Sequence, residues 1–471
     1  MPHGAGRASP NSTHPTQERA MTPGTHDTEA AAPSKRRRAA RAAVPALLLA
    51  VALTAGSVAL GNAGGRQEAA ATAAPWAGRA NAASVGTLQA HLRTQPRDFS
   101  GWSALALAYV EQARTDGDPS RYPEAERALK RSLDLRPGND QALAGRAALA
   151  AARHDFTGAL ADADRALEEN PYSERALCTR VDALVELGRY DEAARAAATA
   201  DDRRPGIPVF TRYAYVRELR GDVADARRVL EQALAGATAP GDIAYVSAQL
   251  GQLAWNEGEY TVALRHYGRA LAADENYLPA LEGRARAQAA SGRRAVAIEG
   301  LERVVARAPL PGPLVALGEL YEARGGPGDR ARARDQYALV DAWTALARAG
   351  GVDVDLDTAL AAADHGDRAA ALRAARAEWS RRRTVHTADA LAWALHVNGR
   401  DAEALPYARR ATATGYRNAA FHFHRGVVEL AAGQERAART HLEKALALNP
   451  GFSPLGARQA RAALKTLEAA K

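Results

Sequence analysis

Cysteine and aromatic residues are scarce in this 471-residue chain. Cys178 is the only cysteine, which excludes an internal disulfide framework and any cysteine-rich metal site. Aromatic residues make up 6% of the chain, whereas hydrophobic residues make up 47% and charged residues 25%, a composition typical of globular proteins. Alanine and arginine are used heavily, so much of the tendency to form helices comes from alanine itself.

Motifs of catalysis and metal binding are also missing. The sequence contains no Gly-rich phosphate loop, zinc-protease motif or nucleophile elbow. His422 and His424 are two positions apart, which places them on roughly opposite faces of a helix, so they cannot share one metal ion. His441 in the partner helix could approach His422, but two histidines without a carboxylate do not indicate a metal site. We expect no enzymatic activity, metal or cofactor, and an inert Cys178.

The net charge of +8 is not spread as a nucleic-acid-binding face requires. "KRRRAAR" at residues 35–41 contributes five positive charges and residues 1–34 a net charge of −1, so half of the net charge lies in the first 41 residues. The other 430 residues are nearly balanced. Binding to phosphates needs a concentrated basic face. We therefore expect no nucleic-acid partner.

One long uncharged run follows the basic cluster. Residues 1–41 predict a disordered basic segment, and residues 42–65, "AAVPALLLAVALTAGSVALGNAGG", carry no charge. As a helix of ~1.5 Å per residue this run would be about 36 Å long, enough to cross a membrane. Because flanking cations stay on the cytoplasmic side, the remainder is expected outside the cytoplasm. Residues 66–97, which lack a strong period, are interpreted as a flexible tether.

Two alternatives to a membrane anchor remain open at the N-terminus. The run could be a cleaved secretory signal, with "GNA" at Gly61–Ala63 as the small-x-small site. It could also be an alanine-rich stretch of a cytoplasmic protein. The long segment that precedes the run and the length of the run itself favour an uncleaved anchor, and Met21 is an alternative start.

A repeat with a period of about 34 residues runs through most of the remaining chain. Pro137, Pro171 and Pro205 are separated by this same spacing, and Pro450 follows Tyr416 at the same spacing. Between these prolines, small and aromatic residues recur at fixed positions, as in "LGQLAWNEGEYTVALRHYGRALAADEN" at 250–276. Such a period indicates an array of repeated supersecondary units rather than a set of separate domains.

This pattern resembles the tetratricopeptide repeat (TPR) family. The family has Leu-Gly at positions seven and eight of each unit, Tyr at eleven, Ala at twenty and twenty-seven, and Pro at thirty-two. Aligned on these positions, residues 98–451 hold about ten units, of which the unit at 352–384 matches least. The resemblance implies an all-α, right-handed TPR solenoid of helix-turn-helix units, with residues 452–471 as a capping helix and residues 42–65 as a preceding transmembrane helix.

Elementary packing arguments agree with this interpretation. Helices of ~12–14 residues are too short to be stable alone, so neighbouring units must bury a shared core. In the stretch at 250–276, Gly251, Ala263 and Ala270 are small enough for close helix approach, whereas Gly258 falls in the turn. Tyr267 recurs at a packing position and is not expected to be catalytic.

In the TPR family the first helix of each unit lines a concave groove at positions two, five, nine, twelve and sometimes thirteen. This resemblance assigns the following candidate binding residues: Asp182, Glu186, Tyr215, Glu218, Tyr245, Gln252, Trp255, Asn256, Glu282, Arg286, Glu319, Glu322, Asp389, Trp393 and His396. Their mixture of aromatic and polar groups suits a peptide or helix. Trp255 and Trp393 could instead be packing residues.

One specific TPR ligand is not expected. Some TPR co-chaperones clamp a C-terminal carboxylate with Lys, Asn and Arg, but Ser103, Leu107, Arg175 and Thr179 stand at the corresponding positions here. Only Arg175 could serve in such a clamp.

We expect a membrane-anchored scaffold that binds one or more proteins or peptides outside the cytoplasm. It resembles uncharacterised TPR proteins of high-GC bacteria. The alternatives are a cytoplasmic regulatory adapter and, less favoured, a small-ligand-binding solenoid or an enzyme subunit.

Overall fold

Helices form all the regular structure of the described residues. The computed structural model describes residues 81–116, 119–349 and 355–469, and no strand occurs in these ranges. The α-helices are α1 Asn81–Thr94, α2 Phe99–Asp116, α3 Tyr122–Leu135, α4 Asp140–Ala152, α5 Phe156–Glu169, α6 Glu174–Glu186, α7 Tyr190–Arg203, α8 Ile207–Leu219, α9 Val223–Gly236, α10 Pro240–Asn256, α11 Tyr260–Ala273, α12 Leu278–Ala290, α13 Arg294–Arg307, α14 Pro311–Arg324, α15 Asp329–Ala349, α16 Asp355–His365, α17 Arg368–Arg381, α18 Val385–Val397, α19 Asp401–Ala411, α20 Ala419–Ala431, α21 Glu435–Leu448 and α22 Gly456–Ala469.

The helices from α2 to α21 are arranged as ten successive pairs in the described chain. Within a pair the two helices pack together, and the second helix then packs on the first helix of the next pair. First helices also contact one another along the array, as α4 contacts α6 and α18 contacts α20. This serial arrangement confirms the prediction of an all-helical, TPR-like array, including a regular pair α16–α17 in the unit that matches the repeat least.

The packing of α10, α11 and α12 shows why small residues recur. Tyr267 is 1% exposed, and a Cβ added to Gly251 would lie 2.7 Å from its ring, while one added to Gly283 would overlap it. Ala263 and Ala270 are fully buried in the same cluster. Since no larger side chain fits beside the tyrosine, the predicted close approach of these helices is confirmed.

The two ends of the array differ in how well they follow the sequence interpretation. Within the predicted tether at 66–97, residues 81–94 form the helix α1, which the sequence interpretation did not anticipate, and residues 66–80 lie outside the described residues. Val85 and Leu92, seven residues apart, pack on α2, a narrow apolar stripe that is hard to see among alanines and glycines. At the other end, α22 lies within the predicted capping segment at 452–471 and buries Ala460 and Leu467.

The predicted transmembrane helix at 42–65 lies outside the described residues, as does the basic segment at 1–41. None of the described helices combines the length and the apolar character needed to cross a membrane.

Contacts between distant pairs form a second set of interactions, which we call the seam. The turn after α6 meets the connection from α17 to α18, the turn after α8 meets the connection from α19 to α20, and the turn after α10 meets the connection from α21 to α22. Gly188, Gly221 and Gly258 stand at these three turns with φ of +72°, +83° and +74°. Each faces a backbone carbonyl of the opposite connection.

Hydrogen bonds join the two sides of the seam at its first and third levels. The Arg383 N–H donates to the Glu186 carbonyl at 3.0 Å, and the Val385 N–H donates to the Tyr190 hydroxyl at 2.7 Å. At the third level the Asn449 amide donates to the Trp255 carbonyl at 2.7 Å.

A buried ion cluster lies at the first level of the seam. Arg382 is 1% exposed, and its guanidinium pairs with Glu186 at 3.3 Å and with Glu378 on α17. Both carboxylates are buried as well. The cluster therefore joins α6 to the end of α17, although Glu186 and Arg382 lie far apart in the sequence.

Candidate functional site

The first helices of the later pairs enclose a cavity of about 820 Å³. Its wall is formed mainly by α10, α12, α14, α16, α18, α20 and the start of α22, together with residues 449–455. Residues 449–455 reach this place through the third level of the seam, and the Ser453 hydroxyl also donates to Glu319 at 3.1 Å. The cavity therefore depends both on the repeat, which aligns the first helices, and on the seam.

Nine of the fifteen candidate residues line this cavity. They are Gln252, Trp255, Asn256, Glu282, Arg286, Glu319, Glu322, Asp389 and Trp393. The structure thus brings together candidates from four different first helices, α10, α12, α14 and α18, around one space.

The other six candidates lie elsewhere. Asp182 pairs with Arg212 at 2.9 Å, and Glu186 belongs to the seam. Tyr245 is buried in a core cluster, 3% exposed, and Tyr215 packs against another.

Glu218 and His396 complete this second group. Glu218 accepts a hydrogen bond from the Asn256 amide at 2.8 Å. His396 bonds Asp401 at 2.5 Å and stacks on Trp393. Glu218 thus contacts Asn256, and His396 contacts Trp393, both of which line the cavity.

Several lining residues were missed by the sequence interpretation. Asp364 and His365 belong to the unit at 352–384, which matches the repeat least, although Asp364 stands at position thirteen of that unit. His424 faces the cavity from α20. Asn449 and Phe452 come from a connection rather than a first helix, so no groove position in the repeat could have indicated them.

One side of the cavity combines carboxylates with aromatic rings. The Trp393 indole N–H donates to Asp364 at 2.7 Å, and the His424 ring stacks on Trp393 with centroids 4.3 Å apart. His424 Nδ1 lies 2.8 Å from Asp389 Oδ2. Burial alone would lower the pKa of His424, but the adjacent Asp389 carboxylate raises it, and the net shift is upward. Burial raises the pKa of Asp364.

The opposite side carries a chain of hydrogen bonds across three first helices. The Arg286 guanidinium donates to Gln252 at 3.0 Å, Gln252 donates to Asn256 at 2.8 Å, and Asn256 donates to Glu218. The same guanidinium lies over the Trp255 ring, 5.1 Å from its centroid. This arrangement fixes the polar groups of the wall and leaves the Trp255 indole N–H without a hydrogen-bond acceptor among the described residues.

Glu218 gives a testable pH dependence. Burial raises its pKa from 4.5 to about 7, so the folded protein keeps a proton that the unfolded chain releases. Stability should therefore fall as the pH rises from about 4.5 to 7 and stay lower above that range. The free energy of unfolding is measured with urea at pH 5 and at pH 8. We expect its decrease between these two pH values to be about 2 kcal/mol smaller in Glu218→Gln. Glu299→Gln, an exposed position on α13, is the control; an equal effect there would contradict the assignment.

The histidines that the sequence singles out and Cys178 all lie among the described residues. The His422 and His441 rings do approach, with centroids 5.9 Å apart, and His441 bonds Glu429. No three His, Cys, Asp or Glu side chains of the described chain are grouped as metal ligands. Cys178 is buried, which raises the pKa of its thiol to about 11.

Comparison with known proteins gives matches only among solved structures; no family model and no curated protein matches the chain. A thermophilic TPR protein of Thermus thermophilus is 23% identical, with 36% of this chain and 91% of that chain covered and a TM-score of 0.33. PilF of Pseudomonas aeruginosa is 20% identical, with 45% and 94% covered and a TM-score of 0.36. The human IFIT1 dimer with m7Gppp-AAAA is 17% identical, with 66% and 71% covered and a TM-score of 0.43.

The structural neighbours are TPR proteins. Because their identities and TM-scores are low, these likenesses carry no argument about a ligand or a partner of this TPR-like chain. They indicate no enzyme family.

Proposed function

We propose that this chain is a protein-interaction scaffold that binds a polypeptide segment in the cavity enclosed by α10 to α22. The observation that carries the proposal is the cavity itself, a space of about 820 Å³ lined by the first helices of several pairs. Two tryptophans, Trp255 and Trp393, contribute to its wall. Trp255 is partly exposed and can serve as an aromatic anchor for a peptide, whereas Trp393 is 7% exposed and packs in a core cluster.

The polar part of the wall suits a polypeptide backbone. Gln249 and Gln459 line the cavity with amide groups, of which Gln249 is partly exposed and Gln459 exposed. A peptide bond offers one N–H and one C=O per residue, and each needs a partner when it is buried. Amide side chains can meet both needs.

Peptide display on the solubilised full-length protein tests this function. Ala316 lines the cavity, so Ala316→Trp should fill part of it and weaken the selected peptides at least tenfold in calorimetric titrations. Ala338→Trp, at an exposed position of α15 outside the cavity, should leave their affinity unchanged. Peptides that bind both variants equally, or a small molecule that alone occupies the cavity, would refute the proposal.

We further propose that residues 42–65 anchor the array in a membrane and hold it outside the cytoplasm. The support is the uncharged run and the basic cluster "KRRRAAR" that precedes it. The alanine- and arginine-rich composition of the whole chain resembles that of membrane-anchored TPR proteins of high-GC bacteria. Protease added to intact cells should digest the array; digestion only after lysis would exclude this topology, and recovery in the soluble fraction would indicate a secreted or cytoplasmic protein.

A further inference from the structure

We propose that the cavity binds a lysine or arginine side chain of the peptide through an acidic wall formed by Glu319, Asp364 and Asp389. This inference rests on the proposed peptide-binding function and names the chemistry of the segment that the cavity accepts. The three carboxylates come from α14, α16 and α18, three successive first helices, and all line the cavity.

Asp364 is the carboxylate most open to the cavity. Its side chain is accessible from the cavity, although protein surrounds it on most sides. The Trp393 indole is its hydrogen-bond donor within the described chain, and no lysine or arginine of these residues pairs with it. The carboxylate can therefore accept further hydrogen bonds from a ligand in the cavity.

Asp389 supplies a second observation, independent of the grouping of charges. It is 2% exposed, and one of its oxygens accepts from His424, while the other, Oδ1, has no hydrogen-bond donor in the described structure. A buried charged acceptor that lacks a donor is destabilising. A cation in the cavity beside Asp364 would offset part of the negative charge of Asp389.

Two of the three carboxylates have an imidazole beside them, His424 at Asp389 and His365 at 3.5 Å from Glu319, whereas Asp364 forms no salt bridge within the described residues. Arg294, Arg334 and Arg461 also line the cavity. Arg286 is on the opposite side, 3.6 Å from Glu282 and bonded to Gln252. Burial raises the pKa of Asp364, and the nearby negative charge of Glu319 raises it further.

This distribution of charge selects one class of ligand. A guanidinium or an ammonium group can donate to several carboxylate oxygens at once. A phosphate or carboxylate group placed here would instead meet Glu319, Asp364 and Asp389 as like charges. A cationic side chain is therefore the occupant that fits the wall.

The experiment uses probes that do not depend on a natural partner. Nα-acetyl-arginine methylamide and its neutral isostere, the citrulline analogue, are titrated calorimetrically into the solubilised full-length protein, with the lysine and norleucine analogues as a second pair. We expect a cationic probe to bind at least tenfold more tightly than its neutral partner. Asp364→Asn should abolish this difference, because it removes the charge and keeps the shape.

The matched control is Asp335→Asn, which makes the same change of charge at an exposed position of α15 outside the cavity. It should keep the preference for the cationic probes. Equal binding of both members of each pair, or no saturable binding, would overturn the inference. If selected peptides still lose affinity with Ala316→Trp in that case, the scaffold function stands and only the cation preference fails.

Discussion

Arg382→Ala is expected to destabilise the protein by about 3–5 kcal/mol, the largest effect of a single substitution that we predict. Removal of the guanidinium would leave Glu186 and Glu378 buried without the cation that they share. Arg381 still pairs with Glu378 at 2.7 Å, but loss of one cation from a buried cluster with two carboxylates costs more than the lost attraction alone. Both carboxylates are nearly inaccessible to solvent in the folded protein, so the lost ion pair is not screened by bulk water.

The measurement is urea unfolding, followed by hydrogen exchange of the backbone amides. Arg373→Ala is the control because Arg373 lies on α17 with a side chain 71% exposed, where an ion pair contributes ~0–1 kcal/mol. We expect exchange to increase in α6 and α17 together in Arg382→Ala. A loss of protection confined to α17 would show that the ion cluster does not join the two sides of the seam.

Gly258→Ala is expected to cost about 2–5 kcal/mol, more than the same change at an open turn. Two effects add at this residue. Its φ of +74° costs any residue with a Cβ ~1–2 kcal/mol, and the new Cβ would lie 2.7 Å from the Leu448 carbonyl oxygen. Because that oxygen belongs to the backbone, relief requires a shift of one side of the seam, at ~1–3 kcal/mol.

The chain contains its own controls for this prediction. Gly399 and Gly433 occupy equivalent turns with φ of +71° and +74°, but a Cβ on either would meet nothing within 4 Å. Gly399→Ala and Gly433→Ala should therefore show only the conformational cost. Equal losses at Gly258 and Gly433 in urea unfolding would mean that the close contact at the seam contributes nothing to stability.

The repeat made much of the architecture predictable. Positions such as those of Gly251, Ala263 and Tyr267 recur along the array, because each unit packs on its neighbours in the same way. The same regularity placed Trp255 and Trp393 on first helices that face a common space. It could not place Asn449 or Ser453, which lie in a connection that the repeat leaves unspecified.

Some candidate residues lie away from the cavity because their side chains meet partners outside the repeat. Glu186 stands at a groove position, yet it lies in the seam because Arg382 reaches it from the end of α17. Tyr245 also stands at a groove position but is buried against α9, in a unit whose α10 begins as early as Pro240. In both cases a contact peculiar to one part of the array overrides the pattern shared by all units.

The sequence by itself determined the helix pairs, their number and the small residues at their contacts, since these depend on neighbours one repeat unit apart. Only the tertiary structure decided that the turns at Gly188, Gly221 and Gly258 meet connections several units further along the chain, and hence that the first helices from α10 onward enclose a cavity. The physical reason is that the periodic pattern in the sequence reflects only the packing between neighbouring units. The seam depends on small angles between successive units that accumulate along the array and leave no repeated signature in the sequence.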